Sequence, residues 1–489
     1  MRRRTKYILF IFMVLTLSSC DEYMELIPPG GLIKEEFWQN KGDVEAVLMA
    51  SYQRFASMDR LLFVFGEARA DMIEDAGSQD ADERKISESN IYPDNKLCNW
   101  EDFYIIIKDC NEVIKNASLV QEVDNTFTDF ERQGLEAEAY FLRSLAYFYL
   151  VRLYKEVPLI LEPTESDDSE IYFEKSAEET ILNQIINDLE TNRPFAPSGG
   201  FTNDEENKGR ASKAAFDALL ADIALWNFDY EAVISHVEKI ETAEDYVLLP
   251  DAKWFELFYP GNSLESIFEF QFDNNLDQRN ATFGLTNQNS NRYQPSQKAL
   301  ELLSFDFSPE LIRGQDASIK KYGEDEYIIW KDVGLAADGQ STRSGSEQNS
   351  CNWIVYRLAD ALLMKAEALS QMERYNESRE IINNIRERAG MPSLSISNST
   401  VAFEDAILGE RAIELCFEGK RWFDLMRMGR RNNYARKSKL IEVVVSNVPS
   451  TQKRILAVKL TNPSGWYLPI YDEELERNKF LVQNPYYDF

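Results

Sequence analysis

Apolar residues return every third and fourth position along several stretches of this chain, which predicts amphipathic helices. From Phe130 to Tyr154 the stripe is Leu135, Ala139, Leu142, Ala146, Tyr149 and Leu153. Tyr140, Phe141, Leu145 and Phe148 widen it beyond a single seam, so this helix is expected to pack on two sides, and Pro158 to stop it. A second helix runs from Ser212 to about Trp226 with Ala214, Ala215, Ala218, Ala221 and Ala224, small residues that let a neighbouring backbone come close. Phe228-Asp229-Tyr230-Glu231-Ala232 opens its return helix. A third pair begins at Leu358 with Leu362, Lys365, Ala366 and Leu369, turns at Arg374-Tyr375-Asn376-Glu377-Ser378, and ends at Ala389-Gly390 before Pro392. Ser266 to Phe272 alternates instead, with Phe268, Phe270 and Phe272 on one side, which predicts a short strand. Asp273 to Pro295, Pro197 to Gly209 and Asp338 to Ser350 are polar and read as surface loops carried by the helices.

A helix, a short turn with an aromatic, and an antiparallel helix of similar length form the unit of tetratricopeptide repeats, whose stacking buries faces that no unit buries alone. No strict 34-residue period is present. The expected fold class is therefore mainly α: a tetratricopeptide-like helix-pair (α-α superhelix) scaffold with long irregular loops and a few short strands. By length, 489 residues suit either two to four domains or one large assembly of helical units.

At the N-terminus, Arg2, Arg3, Arg4 and Lys6 precede an apolar run from Tyr7 to Leu17, too short for an ordinary membrane-spanning helix, and Leu17-Ser18-Ser19-Cys20 follows. The order basic, apolar, small, Cys is that of an export signal and is similar to bacterial lipoprotein signals. Residues 1–19 would then be removed and Cys20 would carry the acyl chains. Asp21 and Glu22 look like the signal that takes Bacteroidetes lipoproteins to the outer face of the cell; the bland alternative is the start of a solvated tether. No later apolar run is long enough to span a bilayer, so attachment rests on lipid. Loss of residues 1–19 leaves 49 Lys and Arg against 83 Asp and Glu, a formal charge of −34. Nucleic acid is thereby an unexpected partner, because phosphate backbones need clusters of Lys and Arg. Cys98, Cys110, Cys351 and Cys416 have neither metal-site nor disulfide-framework spacing and read as buried free thiols. With residues 100–117 as one helix, Cys98 and Cys110 lie roughly 18 Å apart at about 1.5 Å per residue, too far for a bridge.

Candidate chemistry is sparse. His236 is the only histidine, which excludes HExxH zinc chemistry, and there is no GxSxG elbow or phosphate loop. Glu410, Glu414 and Glu418 stand at i, i+4 and i+8 with Arg411 and Arg421 nearby. Carboxylates one turn apart on one helix lie about 5–6 Å apart on one surface and read as ion-pair members, whereas a glycosidase sets its two across a bound sugar. Asp80, Asp82 and Glu83 lack the EF-hand pattern, and no metal or cofactor is expected.

Taken in order, several segments resemble the SusD/RagB family of outer-membrane nutrient-binding lipoproteins. They are Cys20-Asp21-Glu22-Tyr23, Phe37-Trp38, Ala50-Ser51-Tyr52, Trp100 with Tyr104, Ile107, Asn111 and Ile114, Phe141-Leu142-Arg143, Val157-Pro158-Leu159, and Gly209-Arg210-Ala211-Ser212-Lys213. The C-terminal part adds Tyr356-Arg357-Leu358-Ala359-Asp360, Ile385-Arg386-Glu387-Arg388-Ala389-Gly390, Glu410-Arg411, Glu418-Gly419-Lys420-Arg421-Trp422-Phe423-Asp424-Leu425, Leu468-Pro469-Ile470 and Gln483-Asn484-Pro485. The resemblance implies four tetratricopeptide-like pairs with loops that form the ligand site. It also implies a lid over a SusC-like, TonB-dependent transporter that captures glycans, or in some members peptides, at the cell surface without catalysis. Residues 20–489 then form one body: a helical part to 265, a loop-rich ligand-binding insertion at 266–350, and a C-terminal part from 351.

Sugars need flat apolar faces and planar amide or guanidinium groups. The segment Asp273 to Pro295 offers Asn274, Asn275, Gln278, Arg279, Asn287, Asn291, Arg292 and Tyr293, with Tyr322, Tyr327 and Trp330 downstream. Arg69 and Asp71 make a second edge, and Trp100 suits framework or stacking platform. The expected ligand contacts are Arg69, Asp71, Trp100, Asn287, Arg292, Tyr293, Tyr322 and Trp330. Two rival functions stand beside glycan capture: a lipid-anchored glycoside hydrolase, and a repeat scaffold that holds protein partners or peptides.

Overall fold

The computed structural model describes residues 37–163, 172–243, 245–287, 292–306, 308–309, 312–324, 326–332, 334–336, 341–343 and 347–488. The export signal, Cys20 and the Asp21-Glu22 pair lie outside them. Helices α1 (Lys41–Ala56) and α2 (Asp59–Glu67) open the body, followed by α3 (Glu101–Val123), α4 (Asp129–Tyr154), α5 (Glu178–Asn192), α6 (Lys213–Trp226) and α7 (Tyr230–Glu241). After a mixed segment come α8 (Leu358–Gln371), α9 (Tyr375–Arg388), α10 (Thr400–Glu414) and α11 (Arg421–Tyr434), the last broken at Arg431–Asn433. Consecutive helices pair antiparallel, α3 with α4, α6 with α7 and α8 with α9. Helix α8 also packs on α6, α7 and α10, so the pairs share a continuous core.

Helix α4 begins with a capping box: Thr128 accepts from the Glu131 amide and Glu131 accepts from the Thr128 amide. Its C-terminal half is buried on all sides, between α3, α5 and α6, as the widened stripe predicts. It stops at Tyr154, four residues before Pro158, where Lys155 takes a φ of 70°. Ser212 caps α6, whose alanine face lies against α7 and α8. At Gly66 of α2 an added Cβ would fall 1.9 Å from the Gly419 carbonyl oxygen, so only glycine allows this backbone contact. Beside it, Glu67 accepts from the Gly419 amide at 2.9 Å, fastening the start of the fold to the Glu418–Leu425 motif.

The predicted strand is β2 (Ser266–Phe270), shorter by two residues and antiparallel to β6 (Trp353–Arg357). Its polar face is buried too, because Glu269 is held by the Asn352 amide at 2.8 Å and the Asn262 N–H at 3.0 Å. The polar segment Asp273–Pro295 is not a plain loop. It holds a short helix (Thr282–Thr286) and a strand, β3 (Tyr293–Pro295), that pairs antiparallel with β1 (Ile73–Asp75). A second short antiparallel pair joins β4 (Ile319–Lys321) to β5 (Tyr327–Ile329).

The row Glu410, Glu414 and Glu418 is an ion-pair lattice, with different partners from the neighbours seen in sequence. Arg313 reaches Glu410 at 2.7 Å and Glu414 at 2.8 Å. Arg357 reaches Glu414 at 2.6 Å, Glu418 at 2.9 Å and Glu265 at 2.7 Å. Arg388 also bonds Glu414, Arg386 bonds Glu410 and Lys331 bonds Glu418. Arg411 and Arg421 turn instead to Asp360 with Asp424, and to Asp71. Burial alone would raise the Glu414 carboxyl, yet the guanidiniums of Arg388, Arg357 and Arg313 hold it well below the usual carboxylate range. His236 is buried with Nδ1 3.0 Å from Asp217. Cys98, Cys110, Cys351 and Cys416 are buried free thiols; Cys98 sits in a turn ahead of α3 rather than on it.

Candidate functional site

A cleft of about 600 Å³ opens between α1, the short helix Asp204–Gly209, the end of β2 and the turn at residues 277–279. Helix α1 turns Val44, Leu48, Tyr52 and Phe55 into the core, which leaves Met49 and Gln53, one turn apart, on the shoulder that faces the cleft. Met49 is 38% exposed and offers its apolar side chain to the cleft. Glu205 and Glu206 form the opposite wall, Phe272 and Gln271 the floor, and Gln278 and Arg279 the rim.

Buried bonds fix the floor. The Tyr52 hydroxyl donates to Glu138 at 2.7 Å and accepts from the Ala211 amide at 3.0 Å, while Arg210 grips Glu138 through Nε at 2.9 Å and Nη2 at 2.5 Å. Burial pushes the Glu138 carboxyl above its ordinary value, against the pull of Arg210. The Gln271 amide exchanges bonds with Asn262 at 2.8 and 2.9 Å. A Cβ at Gly209 would lie 2.8 Å from the Gln271 side chain, so glycine there keeps that floor open. On the rim, Asp277 adopts a left-handed conformation and pairs with Arg279 at 3.1 Å, both well exposed.

The ligand contacts expected from sequence do not converge on this cleft. Arg69 is buried, donates to the carbonyls of Trp466 at 2.6 Å and Gly465 at 2.8 Å, and lies 4.2 Å over the Trp422 ring. Asp71 is buried under Arg421, from which it accepts at 2.7 and 3.0 Å. Trp100 is buried edge-on to Tyr104 and Tyr154. Tyr293 is buried in its strand beside Phe63. All four are buried, and none of them lines the cleft. Asn287 donates to the Phe283 carbonyl at 2.6 Å, and half-exposed Arg292 reaches Glu83 at 2.8 Å. Tyr322 is 38% exposed at the turn of its strand pair, where Trp330 lies largely covered, with the Lys320 ammonium 4.3 Å over its ring.

Arg60 bonds both Asp80 and Glu83, and Lys85 pairs with Asp82 at 3.3 Å, so these carboxylates face cations. Among the described residues no cluster of three or more His, Cys, Asp or Glu side chains is placed to hold a metal ion. Sequence reasoning named Gln278 and Arg279 within the loop but missed Met49, Gln53, Glu205, Glu206 and Gln271. Only the break in α1's core stripe at Met49 was there to be read.

A family model described as "SusD family" matches residues 250–487, and one described as "Starch-binding associating with outer membrane" matches 44–225. A SusD-like protein of Formosa agariphila is 26% identical over 99% of this chain and 100% of its own. A solved laminarin-binding SusD-like protein superposes with a TM-score of 0.72 at 22% identity, covering 91% of this chain and 99% of that one. The surface glycan-binding protein A of Bacteroides uniformis gives 0.73 at 21%, with 91% and 99% covered. At such identities the superpositions establish the fold. The two family models meet on either side of α7 and together span nearly all of the described body, and the chain belongs to the SusD family.

Proposed function

We propose that this protein captures an oligosaccharide at the cell surface, without turnover, and passes it to a SusC-like, TonB-dependent transporter. The observation that carries the reading is the cleft: about 600 Å³, with the exposed apolar side chain of Met49 beside the planar groups of Gln53, Gln278 and Arg279. Ligand pockets for molecules of this size typically span about 300–1,000 Å³. The C–H faces of pyranose rings pack on apolar side chains, and their hydroxyls bond amides and guanidiniums in pairs. The names of two solved relatives, a laminarin-binding protein and a surface glycan-binding protein, support the same class of ligand. Glu205 and Glu206 are adjacent on one wall, and the cleft's third carboxylate, Asp277, is paired with Arg279 at 3.1 Å.

Lipid on Cys20 is the proposed anchor. No helix among the described residues is long and apolar enough to cross a membrane. Calorimetric titration of residues 21–489 with a panel of neutral and acidic glycans and peptides, followed by analysis for cleavage products, tests the reading. Saturable glycan binding with intact ligand is expected; cleavage, or binding of peptides alone, overturns it. Cys20→Ala should free the folded body from the membrane fraction, and a variant that still sediments with membranes would remove the anchor from the proposal.

A further inference from the structure

Resting on that reading, the charges around the cleft narrow the ligand class. We infer that the cleft takes glycans rich in free hydroxyls and without negative charge, and turns away those bearing carboxylate or sulfate groups.

Five charged side chains line it: Glu205, Glu206, Asp277, Arg210 and Arg279. Arg210 is committed to Glu138 by two hydrogen bonds beneath the floor. Arg279 is matched by Asp277 at 3.1 Å. Glu205 and Glu206 are exposed and make no ion pair among the described residues. The lining therefore carries two uncompensated carboxylates and no uncompensated cation, inside a chain whose formal charge is −30. Ionised carboxylates only accept hydrogen bonds. Sugar hydroxyls donate, so a neutral sugar satisfies Glu205 and Glu206 with charge-assisted bonds. Sulfate or uronate oxygens have no proton to give and meet like charge within a concave wall, where fields are focused. The Gln53 and Gln278 amides accept either class, so discrimination rests on the acidic wall.

The exposed Arg279–Asp277 pair is the point at which an anion would recruit a cation, because such pairs are held weakly. The test addresses it directly. Oligosaccharide digests of starch and of a neutral β-glucan, each before and after chemical sulfation, are titrated into residues 21–489 at low and high salt. At least one neutral digest is expected to bind, and its sulfated form at least tenfold more weakly. The gap should narrow at high salt and in a Glu205→Gln/Glu206→Gln double variant, whose melting temperature reports that it is folded. Sulfated digests that bind as tightly as the neutral ones, with Arg279→Gln removing that binding, would overturn the charge inference and leave glycan capture standing. Silence from both forms of both digests, with uptake of peptides instead, would overturn glycan capture and this inference with it.

Discussion

The lattice around Glu414 and the wall of Glu205 and Glu206 use the same residue type to opposite ends. Glu414 is fully buried and receives Arg313, Arg357 and Arg388 from elements far apart in sequence; its charge is consumed in holding the C-terminal part of the body together. Glu205 and Glu206 are exposed, sit at the start of a short helix, and keep their charge for whatever enters the cleft. Asp59 is a third case. It is buried like Glu414 but accepts from the backbone N–H groups of Ala281, Thr282 and Arg60 and from the Thr282 hydroxyl, with no ion pair among the described residues. Burial pushes its carboxyl up to about 6. The scaffold carboxylates Glu414 and Asp59 are buried and met by guanidiniums or by amides, whereas Glu205 and Glu206 are exposed and make no ion pair among the described residues.

That contrast is sharpest for stability. Glu414→Ala removes the carboxylate shared by three buried guanidiniums, which keep only Glu410, Glu418 and Glu265 between them, and should cost about 3–5 kcal/mol by urea denaturation. Glu206→Ala should stay within about 0.5 kcal/mol of the parent. Equal losses would erase the distinction. Next in size is a pH effect at Asp59. The native state keeps this proton up to about pH 6, whereas the unfolded chain releases it near 4, so the native state binds more protons in between. Stability should therefore fall as pH rises from about 4 to about 6, by up to about 3 kcal/mol. Asp59→Asn should lack this component, and the comparison is the difference between the two pH profiles. The smallest effects belong to the cleft's amides: Gln53→Ala or Gln278→Ala should weaken glycan binding about threefold to tenfold, the range for one net hydrogen bond, with unchanged melting.

Much of the scaffold was legible because burial writes a helical period. Helix α4, read from Phe130 to Tyr154, spans Asp129–Tyr154, and the α6–α7 and α8–α9 pairs begin and turn where their caps and aromatics place them. The ionic nature of the Glu410 row was legible too, but not its partners. Helix spacing shows only neighbours on the same surface, and the partners arrive from β6, from α9 and from Arg313 and Lys331. The strand Tyr293–Pro295 escaped notice because it is three residues long and its partner, Ile73–Asp75, lies far upstream. The cleft was hidden for the same reason. It is assembled from α1, residues 205–210 and residues 270–279, and in α1 only Met49, off the core stripe, hints at it. Arg69, Asp71 and Trp100 drew attention as polar or aromatic groups, yet their distant partners Trp422, Arg421 and Tyr154 make them framework.

The first turn of α1 has a mechanical consequence. Asn40 and Asp43 close a capping box there, the Lys41 amide is tied to Asp124, and the Lys41 ammonium is tied to Glu131 at 2.8 Å. Tension arriving through the chain ahead of Phe37 thus does not peel α1 from its free end. It is shared at once with the hairpin between α3 and α4, the two longest described helices, and loads several bonds in parallel instead of one after another.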